Sequence, residues 1–125
     1  MVKIIASILI SFALLCGVSI YNLAFVNNTF TRFSEELTAL YRKTEEKRAT
    51  REDAEAIRIS WNKKKESLHV WIPHNDISYI DYWLSEGLSY IYTEDYDDAL
   101  SKIEVLLEIT ENIPSAYSLS LENVF

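Results

Sequence analysis

Hydrophobic and polar positions follow two different regimes along the chain. Ile4 to Val26 shows no alternation at all and carries no formal charge. As a helix rising about 1.5 Å per residue it is about 34 Å long, enough to cross about 30 Å of bilayer hydrocarbon. Beyond it, apolar residues recur at helical spacing and predict four amphipathic helices. The first buries Phe30, Phe33, Leu37, Leu40, Tyr41 and Thr44. Leu23 and Val26 carry the same stripe back into the apolar run, so anchor and first helix read as continuous. The second buries Ala54, Ile57, Trp61, Leu68 and Ile72, opens on Glu52 and Asp53, where the helix dipole favours acids, and ends at Pro73. The third starts near Asn75 or Asp76 and buries Ile77, Ile80, Leu84, Leu88 and Ile91. The fourth starts near Asp95 and buries Ala99, Ile103, Leu106, Leu107, Thr110 and Ile113. Ser115 to Ser120 then reads as polar coil, and Leu121 to Phe125 as an apolar-ended tail able to dock on the bundle.

The expected fold class is therefore all-α: an N-terminal transmembrane helix followed by a small antiparallel bundle of two helical hairpins. The domain reading is residues 1–26 as a transmembrane signal-anchor and 27–125 as the helical domain, its tail beginning at about 114. Glu52-Asp53-Ala54 and Asp97-Asp98-Ala99 open the second helix of each hairpin alike, a faint internal repeat. A cleaved signal peptide is the competing reading of the apolar run. It is disfavoured because no small-x-small site follows a short apolar region and apolar character persists to Val26. A lipoprotein signal at Cys16 is disfavoured by Leu15, where a small residue is needed. Lys3 and the amino terminus oppose Arg32, Arg42 and Lys43 in the charge balance. The short tail before the apolar run favours a cytoplasmic amino end and an extracytoplasmic domain.

Composition narrows the classes further. Glycine and proline total four residues, Gly17, Gly87, Pro73 and Pro114, too few turn formers for a sandwich or barrel. The single cysteine excludes a disulfide framework within one chain. The net charge of −7 hides a division. Asn27 to Glu66 holds ten bases against eight acids, whereas Ser67 to Phe125 holds Lys102 against eleven acids. That acidic half repels phosphate, and the bases are interleaved with acids, so nucleic acid is not an expected partner.

Candidate chemistry is sparse. His69 and His74, with Asp76 and Asp81 nearby, suggest a metal site, but Pro73 interrupts the helix between the histidines and removes the i, i+4 alignment that puts ligands on one face. His74 then reads as a turn residue and His69 as solvated. No nucleophile motif or glycine-rich phosphate loop is present, so no catalytic residue, metal ligand or cofactor is expected. Lys63, Lys64 and Lys65 either reach phospholipid headgroups or serve the bundle, where Lys64 and Lys65 flank the buried stripe with their stems and the acidic second hairpin is a natural neighbour. On the third helix Tyr79, Trp83 and Tyr90 form a second apolar line about 120° from the first. They read either as packing against a neighbouring helix or as a partner-contact face.

The anchor starting at Lys3, Trp61 followed by Lys63-Lys64-Lys65, Ile72-Pro73-His74, Asp98-Ala99 and the ending Leu121-Glu122-Asn123-Val124-Phe125 together resemble the bacterial family called domain of unknown function 4363. The resemblance implies membrane anchoring and a helical domain, and implies no substrate, cofactor or catalytic residue. The expected function is a membrane-tethered interaction or scaffold module of the bacterial cell envelope, without catalysis. Its expected partners are the lipid bilayer, through Ile4 to Val26, and another membrane protein or a second copy. The alternative is an envelope metal-binding accessory or enzyme using His69, His74 and Asp76.

Overall fold

The computed structural model describes the backbone of residues 1–124 and the side chains of residues 1–114. It contains four helices, α1 (Val2–Glu45), α2 (Arg51–Leu68), α3 (His74–Tyr92) and α4 (Tyr96–Val124), and no strand among the described residues. α1 is unbroken, as the continuous stripe predicts. Its residues 2–21 stand clear of the bundle, whereas Asn22 and Val26 are buried in it. The bundle therefore begins inside the apolar run.

The helix ends are set by local chemistry. Thr50 caps α2 with a reciprocal box: its hydroxyl accepts from the Asp53 N–H at 3.2 Å, and Asp53 Oδ2 accepts from the Thr50 N–H at 3.0 Å, satisfying two otherwise orphaned donors. α1 and α3 end alike, on a non-glycine residue in the left-handed region, Lys47 at φ 59 and Glu94 at φ 59. The N–H groups of Arg48 and Asp95 then reach back to the carbonyls of Lys43 and Tyr90 at 2.7 and 2.8 Å, closing the last turn as a Schellman motif does.

Three expected boundaries move. α2 stops at Leu68 rather than at Pro73, because the Trp71 and Ile72 N–H groups both return to the Leu68 carbonyl at 2.9 Å. A residue before proline is also pushed towards extended backbone. Leu68 and Ile72 nevertheless stay buried. α3 starts at His74, with Pro73 as its N-cap at φ −56, ψ 142, not with Asn75 or Asp76; the Pro73 carbonyl accepts from Asp76 and Ile77. The segment expected as coil from Ser115 to Ser120 is helical, since α4 continues through Pro114 to Val124. Proline removes one N–H donor from a helix but does not stop the turns on either side from closing. The expected docking of Leu121 to Phe125 concerns side chains that lie outside the described ones.

The helices form a ring in which α4 packs closely along both α1 and α3, while α2 touches α1 and α3 at wider spacing. Side-chain size explains the difference. On the α3–α4 side, Gly87 lets the α4 stems of Lys102 and Ile103 approach to 3.5 and 3.8 Å of where its Cβ would stand. On the α2 side, Trp61 stacks on Phe33 with ring centroids 4.9 Å apart and holds the backbones apart. The core is one cluster running from Val26 to Leu106 and drawing on all four helices. All the predicted apolar stripe positions of α1 to α3 beyond Val26 are buried except Tyr41, which is half-buried with its hydroxyl donating to Glu104 Oε1 at 2.8 Å. Thr44 and Thr110 enter the core by donating back to Leu40 and Leu107 carbonyls, so no hydroxyl is left unpaired there.

Candidate contact site

The aromatic line of α3 divides on folding. Tyr79 is 57 % exposed, Trp83 is half-buried, and Tyr90 is half-buried against the core. Trp83 is the hub. Tyr79 and Tyr82 meet its ring edge-on, with centroids 6.4 and 5.5 Å away, and the Lys102 ammonium from α4 lies 5.0 Å from its centroid, a cation–π distance. Lys102 also pairs with Glu86 at 3.4 Å, and Tyr82 donates to Glu86 Oε1 at 3.1 Å. That hydrogen bond to a carboxylate raises the Tyr82 pKa above its ordinary value. The Trp83 indole N–H is buried without an acceptor among the described residues. A shallow open depression lined by Ser78, Asp81, Tyr82, Ser85, Glu86 and Ser89 adjoins this patch. Tyr82, 57 % exposed, is the member the sequence reading missed. Its spacing of three from Tyr79 was the available signal.

Several of the other cations and acids hold helices together. Lys64 reaches Glu36 of α1 at 3.1 Å, and Lys65 reaches Asp81 of α3 at 3.4 Å. Asp81 Oδ1 also accepts the Trp61 indole N–H at 2.6 Å. At the far end from the apolar run, Lys43 donates to Asp53 Oδ1 at 2.9 Å, and this bond, with the Thr50 cap, lowers the Asp53 pKa. Nearby, Tyr96 donates to the Ala49 carbonyl at 3.1 Å, Tyr92 donates to Glu55, and the Arg51 guanidinium lies 4.9 Å from the Tyr92 ring centroid. Asp95 beside Asp98 raises the Asp98 pKa.

Pro73 leaves the two histidines on different helices, as expected, yet their rings meet. With α2 ending at Leu68, His69 closes one helix and His74 opens the next, and the tight reversal stacks their rings with centroids 5.9 Å apart and planes at 19°. His74 Nε2 lies 3.4 Å from Ser78 Oγ. Asp76 does not join them in a ligand cluster: among the described residues no three His, Cys, Asp or Glu side chains are placed to hold a metal ion.

At the boundary between apolar run and bundle, Tyr21 is exposed and stacks on Phe25 at 6.5 Å, while the buried Asn22 Oδ1 has no hydrogen-bond partner among the described residues. α1 is also the one helix among the described residues long and apolar enough to cross a membrane.

Fold and site together define a helical bundle built on the inner half of a long apolar-ended helix, with an aromatic patch on its third helix. The chain belongs to the family described as domain of unknown function DUF4363, whose model matches residues 18–124. That match begins within the apolar run, close to where α1 enters the bundle. No curated protein and no solved structure matches the chain.

Proposed function

We propose that this chain is a membrane-tethered interaction module of the bacterial cell envelope, without catalytic activity, held by the first half of α1 and carrying its bundle outside the cytoplasm. The observation that carries the reading is residues 2–21: every side chain there is exposed or half-exposed, and the stretch continues as one helix into the bundle core. About 30 Å of uncovered apolar helix matches the hydrocarbon thickness of a bilayer and far exceeds what a water-soluble monomer exposes. Among the described residues, the exposed aromatic patch of Tyr79, Tyr82 and Trp83 favours contact with another membrane protein or a second copy. Alkaline phosphatase fused after Phe125 is expected to be active and to stay with membranes on carbonate extraction. Activity in the soluble secreted fraction would show that the apolar segment is cleaved. An inactive fusion whose fluorescent counterpart glows in the cytoplasm would reverse the orientation.

A further inference from the structure

We infer that the α2–α3 turn, residues 69–73, seats in the lipid headgroup layer of the same membrane that holds α1, with Val70 as the inserted side chain and the half-buried Trp71 beside it. The inference rests on the tethering reading above and adds a second point of membrane contact.

Because α1 is one unbroken helix, its numbering measures height above the apolar segment. α2 descends alongside it. Lys43 bonds Asp53, Glu36 bonds Ser60 and Lys64, and Phe33 stacks on Trp61. Continued at that register, the turn after Leu68 reaches the level of Phe25 to Asn28. Tyr21, the last residue clear of the bundle, lies about four to seven residues lower, or about 6–10 Å along the axis. The headgroup layer adds about 5–7 Å to each side of the hydrocarbon. Side chains pointing down from the turn therefore reach it.

The turn is built to present them. Leu68 and Ile72 are buried on either side, and the N–H groups of Trp71 and Ile72 are tied to the Leu68 carbonyl. Val70 is thus held outward rather than frayed. At 71 % exposure it is the most exposed large hydrophobic side chain among the described residues outside the apolar segment. Half-buried Trp71 beside it lies level with Phe25 of α1, on which Tyr21 stacks from one turn lower, and amphipathic rings are favoured at a bilayer surface.

The test uses the full chain with Cys16→Ser, reconstituted in phosphatidylethanolamine–phosphatidylglycerol vesicles and carrying one cysteine labelled with an environment-sensitive fluorophore. Val70→Cys, Glu94→Cys and Leu9→Cys are compared. The Val70 label is expected to be quenched by lipids spin-labelled near the headgroup and to be severalfold less sensitive to aqueous iodide than the Glu94 label. The Leu9 label is expected to respond to spin labels deep in the acyl chains. A Val70 label as open to iodide as that at Glu94, with Leu9 still quenched from the bilayer core, overturns the headgroup contact and leaves tethering intact. A Leu9 label that deep quenchers do not reach overturns the tethering and the turn's contact together.

Discussion

Single residues divide here between those that hold helices together and those that face outward. Trp61 is 1 % exposed, stacks on Phe33 and donates to Asp81. Trp61→Ala is expected to cost about 3–5 kcal/mol in chemical unfolding of the full chain in mild detergent. Trp83 is only half-buried, so Trp83→Ala should cost less, about 1–3 kcal/mol, and exposed Tyr79→Ala within about 0.5 kcal/mol. A Tyr79→Ala variant that keeps its stability while a photocrosslinker placed at Tyr82 loses its adduct would assign Tyr79 to contact. Asp53 sets a pH dependence. Its folded pKa lies below the ordinary 3.8, because Lys43 and Thr50 favour the carboxylate. Its contribution is therefore fully present above the unfolded value and is lost as pH falls through the lower folded value. Asp53→Asn should be less stable near neutrality and show a flatter loss of stability on acidification, read from unfolding midpoints across an acid series.

At the scale of the element, helix ends and close approaches offer the sharpest tests. Lys47 and Glu94 adopt φ 59 at the ends of α1 and α3, a conformation that costs an L-residue about 1 kcal/mol and glycine almost nothing. Glu94→Gly is expected to raise stability by about 0.5–1 kcal/mol, with Thr50→Ala lowering it by about 0.5–2 kcal/mol through loss of the α2 cap. Gly87 behaves in the opposite sense. It sits inside α3 without a positive φ, and a Cβ there would meet Lys102 and Ile103 at ordinary contact distances. Gly87→Ala should therefore stabilise by up to about 1 kcal/mol, from helix propensity, whereas Gly87→Leu should drive α4 away and destabilise. Thermal melts of the four variants decide the signs.

For the whole molecule, α1 makes apolar segment and bundle one body, because the same helix that is exposed up to Tyr21 is buried from Asn22 onward on its inner face. Two alanines, Ala54 and Ala99, both fully buried near the starts of α2 and α4, admit those helices at the end far from the apolar run. A break in α1 at the boundary should uncouple the two parts. Inserting Gly-Gly after Tyr21 is expected to leave the bundle's melting transition almost unchanged while loosening its orientation to the bilayer, seen as faster anisotropy decay of a label at Glu94. An unchanged decay would mean that other contacts, and not the rigidity of α1, orient the bundle.

The sequence by itself determined the all-α class, the continuity of α1 and the buried stripes, because apolar spacing of 3.6 residues is a local property that each helix carries alone. It also carried the T-x-x-D cap at Thr50 and the Tyr79–Tyr82 spacing, though neither was read from it. Only the tertiary structure decided that Trp83 shelters under Lys102, that His69 stacks on His74, and that Asp81 receives Trp61 and Lys65 together. These depend on how far apart neighbouring helices settle and where a turn closes. The bulk of Trp61 against Phe33 and the absence of a side chain at Gly87 fix those spacings across the bundle, between residues that periodicity along one helix cannot relate.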